Sequence, residues 1–504
     1  MHALDWAVIA GYLLVMLVIG VWSHRQVSDA ADFFTTGGRM PWWLAGISHH
    51  MSGYSAVIFV AYAGVAYDQG IVSYVVFLFP LAIGTGIGAF LFAPKWNRLR
   101  VHYDIASPLE YLARRFNVST QQVLAWSGST LKVFDVAAKW SAVALLMTEF
   151  AGIPLVWGIV TTAAVTLVYC TAGGLWADAL TELGQFVIQA VAAFAMLAVV
   201  GTALSDIGLN YVTFWEALPE GHTSPTTSSY PGYFVLVYML VKTFEYNGGM
   251  WNLAQRYIAT RSTIEARRTA LLSSALYLVW PLVLMLPMFA APLLVDVANS
   301  EDAYARMALE FLPSGLLGLV LVGFFSHTMA MAASDATAIS AVMTRDVLPK
   351  ISHRAARFTD RQGLLAGRVL TVVFVFLSVV IAVNAEALGG VLGIILTWVG
   401  ALIGPISIPL MLGMLRPFRH IGPTAALTSW AAGLITYGLT KYAWSMSEAI
   451  TVASPVLVSM LVFVAVGAIR RDAPPAATEI CDALAGRTRR SPENTPEKGP
   501  PVST

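Results

Sequence analysis

The sequence predicts an all-α, polytopic membrane protein with about thirteen transmembrane helices. Three observations carry that prediction: an apolar composition, the spacing of the apolar stretches and a one-sided distribution of basic residues. Of 504 residues, 57% are hydrophobic and only 12% charged, against roughly 25% charge in an ordinary soluble domain. Mean hydropathy is +0.69, so the length reads as one membrane domain rather than several soluble ones. A net charge of +1 with no basic patch excludes a nucleic-acid surface. Cys170 and Cys481 form no CxxC or zinc pattern and read as free thiols.

Stretches long enough to span are centred near residues 13, 52, 80, 134, 162, 190, 240, 280, 325, 376, 400, 431 and 459. The first, "LDWAVIAGYLLVMLVIGVW", carries acidic Asp5 at its start and precedes "SHRQ". It lacks the positive leading end and cleavage site of a signal peptide and reads as a retained span. With the N-terminus outside, the cytoplasmic loops collect Arg25 and Arg39, then "KWNRLR" with Arg114 and Arg115, then Arg256, Arg261, Arg267 and Arg268. Further along they collect Arg345, Lys350, Arg354, Arg357, Arg361 and Arg368, then Arg416, Arg419, Arg470 and Arg471. The opposite loops are nearly bare, including the long "LSDIGLNYVTFWEALPEGHTSPTTSSYPG". This asymmetry places the N-terminus out and the C-terminus in. Residues 1–470 form the transmembrane domain, and 471–504, rich in Pro, Arg and Ser, read as a disordered cytoplasmic tail. "SPLEYLARRFN" reads as a short surface helix with Ser107 as N-cap and Pro108 at N1.

Charge inside the spans points to function, because ionisable groups at membrane depth mark solute or ion paths. "ISHHMSGYSAVIF" places His49 and His50 in an apolar span. Adjacent helical residues point about 100° apart, so one of the two is expected to face a cavity; the alternative is a histidine bonded between helices. "TLKVFDVAAKW" puts Lys132, Asp135 and Lys139 on one helix face, as a pathway or as a structural ion pair. "LVKTFEYNGGMWNLAQRY" carries Lys242 and Glu245 beside Gly248 and Gly249. Like Ser52-Gly53, this pair invites a helix break, tolerated at membrane depth only where backbone is buried or lines a cavity. The breaks lie five spans apart, the offset of two five-helix repeats, and such breaks point to a transporter binding site. Asp335, in "SHTMAMAASDATAIS", and Glu182, in "WADALTELGQ", each require a partner, a cation or a proton.

Four segments, in order, resemble the sodium:solute symporter family: "ADFFTTGGRMPWWLAGIS", "YCTAGGLWADALTELGQ", "WNLAQRYIATRSTIEARR" and "AISAVMTRDVL". The resemblance covers roughly residues 5–470. It implies a leucine-transporter-type fold of two inverted five-helix repeats, about 40–205 and 231–412, with one leading and two trailing helices. It also implies an importer in the cell membrane that carries a small polar solute with Na⁺ by alternating access.

In the family's principal sodium site, backbone carbonyls align with Met51, Tyr54 and His327. Its paired serines align with Ala330 and Met331, which offer no side-chain oxygen to a hard cation. A second site of some relatives aligns with Glu182, Ala333 and Ser334, beside Asp335. Na⁺ is therefore expected on a rearranged set that includes Glu182, Ser334 and Asp335, with Ser52 or Ser326. The alternative is a proton carried by a carboxylate or by His49, His50 or His327.

For the solute, Tyr246 aligns with an aromatic that closes the cavity in sugar-transporting relatives, and Asn247, Trp251 and Tyr54 offer hydrogen bonds and a stacking face. Ile58 stands where those relatives place a polar residue, while Lys132, Lys139 and the histidines suit a carboxylate. Ser52, Asp135 and Glu245 complete the candidate solute set. Two other functions compete: a solute sensor, for which the tail offers no output domain, and a metalloenzyme on His49, His50 and Asp335, for which adjacent histidines lack the i, i+4 spacing of HExxH. The sequence does not set the oligomeric state.

Overall fold

The computed structural model describes residues 2–23, 30–385 and 399–486, with 391, 393 and 394. The longer helices begin with α1 (Ala3–Ser23), α2 (Trp42–Met51), α3 (Ala63–Gln69), α4 (Phe79–Leu91) and α5 (Ala93–Tyr103). They continue with α6 (Val118–Ala151), α7 (Leu155–Asp206), α8 (Gly232–Phe244), α9 (Trp251–Ile258) and α10 (Thr263–Ala290). Next come α11 (Leu316–Val342), α12 (Asp360–Val383), α13 (Gly404–Leu412), α14 (Pro423–Gly438), α15 (Glu448–Arg470) and α16 (Ala476–Leu484). Among the described residues there is no strand, only a single bridge between Met40 and Thr260.

Six described helices are long and apolar enough to cross a membrane by themselves, including Gly174–Asp206, Thr263–Leu293 and Leu316–Ile351. α6 and the first part of α7 form a further pair, bent by 120°. α7 is itself two helices, because Gly174 leaves helical geometry at φ 56° and ψ −154°. A Cβ there would sit 2.6 Å from the Phe33 carbonyl oxygen, so glycine meets both the conformation and the space.

α2 and α3, and likewise α8 and α9, are each too short to cross alone. The ten residues of α2 rise about 15 Å, half of a hydrocarbon core. Both breaks fall where the sequence places them. α2 stops at Met51 and helix resumes at Ile58. α8 runs into a π-turn over Glu245–Gly249 in which Gly248 has φ 151°, a conformation that other residues rarely adopt.

The broken helices sit in the interior. α2 packs on α7, α9 and α10, while α9 packs on α5 and α11. α1 is held from outside the core: the Asp5 carboxylate accepts from the N–H groups of Gly315 (2.6 Å) and Gly318 (2.9 Å). A carboxylate at the start of α11 satisfies two orphan amides and complements the helix dipole.

Three local expectations change. The expected surface helix is helical only over Leu112–Arg115, because the Ser107 hydroxyl turns instead to the buried Asp346 carboxylate (2.5 Å). Arg115 is not a free cytoplasmic charge. It is buried, and its guanidinium donates to the carbonyls of Gly413, Phe418 and Ile421. The tail is not unstructured from 471: α16 buries Ala477, Ile480, Cys481 and Leu484, an i, i+3, i+4, i+7 stripe that gives it a face to dock. Residues 487–504 lie outside the described residues, as does Arg25. Cys481 is a free, buried thiol.

Where helices approach most closely they do so through glycine. A Cβ on Gly84 in α4 would come within 2.7 Å of the Thr243 backbone nitrogen in α8. Gly84→Ala is expected to destabilise the fold by about 1–3 kcal/mol, read as a lower melting temperature in detergent. Gly11→Ala, whose Cβ meets nothing within 4 Å, serves as the control and should leave it unchanged or slightly raised, since alanine favours the helix.

Candidate ion and solute site

Each helix break frees backbone carbonyls, and side chains from the other broken helix and from α5 and α10 take them up. The Tyr246 hydroxyl donates to the Gly53 carbonyl. Asn252 Nδ2 donates to the Ser52 carbonyl (3.2 Å) and Trp96 Nε1 to the Asn247 carbonyl (2.6 Å). Tyr277 reaches the His49 carbonyl (2.8 Å) from α10. Backbone polar groups at membrane depth must be satisfied internally, and here that requirement ties the two breaks to each other.

Three buried charge clusters surround this junction. In the first, Arg256 of α9 is fully buried and reaches α2, α7 and α11 at once. Its Nη2 lies 2.7 Å from Asp178 Oδ2, 2.5 Å from Ser334 Oγ, 2.9 Å from Ser52 Oγ and 3.3 Å from both Glu182 oxygens. Its Nε donates to Ser48 Oγ (2.9 Å). Ser48 and Ser52 in turn donate to Glu182, and Ser334 donates to Asp178 (2.5 Å).

In the second, Lys132, Asp135, Lys139 and Asp335 close a ring of alternating charge. The four contacts are Lys132–Asp135 at 2.7 Å, Lys132–Asp335 at 2.8 Å, Lys139–Asp135 at 2.8 Å and Lys139–Asp335 at 2.5 Å. The third is the pair Lys242–Glu245 at 2.6 Å, with the Lys242 ammonium 4.7 Å and 5.2 Å from the ring centroids of Tyr238 and Tyr246.

A small cavity of about 50 Å³ lies between the second and third clusters. Of the predicted solute residues it is lined by Asp135, Lys139, Glu245 and Tyr246, together with Tyr54, Lys242 and Met331. The remaining predicted residues face elsewhere. His49 is bonded between helices: Nδ1 to Ser273 Oγ (2.7 Å), and Nε2 to the Tyr246 carbonyl (3.1 Å) and the Tyr257 hydroxyl (2.8 Å). His50 Nε2 pairs with the Tyr54 hydroxyl (2.6 Å), so it stands one bond behind the cavity wall. Ser52 belongs to the Arg256 cluster. Asn247 turns its amide to the carbonyls of Gly84 and Thr243, both at 2.9 Å. Lys132 and Trp251 line a separate, smaller hollow with Gly128 and Ile406, where the indole lies over the bare Gly128 backbone.

Of the expected ion ligands, Glu182 and Ser334 come together, while Asp335 is turned away into the lysine ring. Met51, Tyr54 and His327 meet at the α2 break, but the His327 imidazole itself faces the backbone of Met51 and Tyr54. Its ring lies 5.1 Å from that of Tyr54. Ala330 and Met331 add no oxygen there.

Two participants escaped the sequence reading. Arg256 was counted with the cytoplasmic loops, yet it is the hub of the first cluster. Asp178 stands four residues before Glu182, on the same helix face, a spacing present in "WADALTELGQ".

A helical membrane protein with two interlocked broken helices and buried ion pairs around a central cavity has the build of a secondary transporter. The comparisons give the family. The model of the sodium:solute symporter family matches residues 33–420, and the chain belongs to that family. It is 24% identical over 389 residues to the sodium/sialic acid symporter SiaT of Proteus mirabilis, covering 74% of this chain and 77% of that one. It is 25% identical over 424 residues to the sodium/glucose cotransporter of Vibrio parahaemolyticus, covering 77% and 76%. In fold it is similar to a Na⁺-coupled sialic acid symporter solved in an outward-open, substrate-bound state, with TM-score 0.80 and 20% identity over 94% of this chain and 99% of that one. The protein is thus a Na⁺-coupled solute symporter and not an enzyme.

The lysine–aspartate ring yields a test. Asp335→Asn leaves a buried positive charge in excess, expected to cost about 3–5 kcal/mol and to lower the melting temperature sharply. Adding Lys132→Met restores charge balance and should recover most of the loss; no recovery in the double variant would mean the ring is not a closed electrostatic unit.

Proposed function

We propose that this chain imports a small polar organic solute, most compatibly a sugar acid or other carboxylate, together with Na⁺ across the cell membrane by alternating access. The observation that carries the reading is the cavity at the meeting of the two breaks, lined by Lys139 and Lys242 with their partners Asp135 and Glu245, and by Tyr54, Tyr62 and Tyr246. Cationic groups among tyrosines suit a solute with both an anionic group and hydroxyls. The symporters named for sialic acid among the relatives support an acidic sugar.

The topology goes with this proposal: about thirteen spans within residues 1–470, N-terminus out and C-terminus in. Glu182 and Ser334 hold the coupling ion. Ion and solute tighten each other's binding by the same factor, and rocking of one repeat against the other carries both inward. The Tyr246–Gly53 tie keeps the two breaks closed over the cavity and must open for release. The case for proton coupling through His49 weakens, since both of its ring nitrogens are committed to neighbouring helices.

The test is a thermal-shift screen of purified protein with sialic acid, glucose, myo-inositol and short carboxylates, each in NaCl or KCl. A ligand of the folded state raises the melting temperature by mass action. An acidic solute should do so in Na⁺ and fail to do so in K⁺, and Glu182→Gln should erase that difference. Stabilisation by a neutral sugar alone would overturn the carboxylate reading.

A further inference from the structure

The Arg256 cluster is an oxygen cage, and its charge does not balance. Five oxygens from Asp178, Glu182, Ser52 and Ser334 lie within 3.3 Å of the single Nη2 atom. That nitrogen has only two hydrogens to give, so most of these oxygens are gathered round a cationic centre rather than individually hydrogen-bonded to it. Carboxylate and hydroxyl oxygens in such a shell are the ligands of a hard cation. With both carboxylates ionised, two of them against one guanidinium leave a negative charge in excess, and Asp178, Glu182 and Arg256 are all buried. The nearest other charges do not offset it: Asp335, next to Ser334 in sequence, is balanced inside the lysine ring. An uncompensated buried charge is too costly to leave standing. One further oxygen, beside the five of the cage, is unused. Asp178 is 3% exposed, and its Oδ1 has no hydrogen-bond partner among the described residues.

We propose that Asp178 is a ligand of the coupling ion: with Glu182 and Ser334 it forms a two-carboxylate Na⁺ site, in which Arg256 is the resident cation and Na⁺ the second one that neutralises the cage. The inference rests on the Na⁺-symport reading above and adds to it the residue that replaces the oxygen lost at Ala333. Ser52 brings the first broken helix into the same shell, so occupancy by Na⁺ bears directly on the geometry of the α2 break.

The experiment is a NaCl titration of the melting temperature of the full-length protein without solute, at constant ionic strength made up with KCl. Wild type should show a saturable, Na⁺-specific rise, and Asp178→Asn should raise the half-saturating Na⁺ concentration about tenfold or more. Half-saturation in Asp178→Asn equal to wild type would overturn the proposal while leaving Na⁺ coupling intact. If Asp178→Asn does not fold, Asp178→Glu keeps the charge but lengthens the arm by one methylene. A shifted half-saturation with an unchanged melting temperature in KCl then supports the proposal, and an unshifted one overturns it. A wild-type protein without any Na⁺-specific response would overturn both this site and the coupling reading on which it rests.

Discussion

A guanidinium without water needs acceptors on every side, and Arg256 obtains them only because three other helices arrive together. α7 brings Asp178 and Glu182, α2 brings Ser48 and Ser52, and α11 brings Ser334. None of the three charged groups is tolerable alone at this depth. Their mutual dependence fixes where the first broken helix ends, how closely α9 approaches it and which face of α11 turns inward. The remaining contacts of the junction, such as Tyr277 to the His49 carbonyl, are satisfied within the frame this interaction sets.

The lysine ring, by contrast, is electrically complete. Two ammonium groups and two carboxylates alternate at 2.5–2.8 Å, so it neither needs nor offers charge to a mobile ion. It borders the cavity through Asp135 and Lys139. The two clusters are thus chemically different, one built on an arginine and two carboxylates and one an alternating ring, and both are anchored on α11 by neighbouring residues, Ser334 and Asp335.

Local spacing made part of this legible in the sequence. Ser52-Gly53 and Gly248-Gly249 announced the breaks because glycine weakens a helix wherever it falls, and Lys132, Asp135 and Lys139 announced a shared face through their separation. Partners distant in the chain were not legible. Nothing near His49 foretells Ser273 or Tyr257, and those bonds decide that the ring clamps helices instead of facing the cavity. Arg256 was misplaced because counting loop charges weighs every arginine alike, whether it ends in water or in a carboxylate cage. In the tail, Ala477, Ile480, Cys481 and Leu484 did carry a helical stripe, hidden within a composition dominated by proline and arginine.

That stripe has a mechanical consequence. α16 touches α5 and the Leu112–Arg115 turn. Its Leu484 carbonyl accepts from Arg98 (2.5 Å), its Asp482 pairs with Arg416 (2.8 Å), and Cys481 lies against the Gly413 carbonyl (3.5 Å). It therefore straps an early helix to the turn that follows α13. Any swing that parts those elements has to peel the strap away first. The family match ends at residue 420, and α16 lies beyond it.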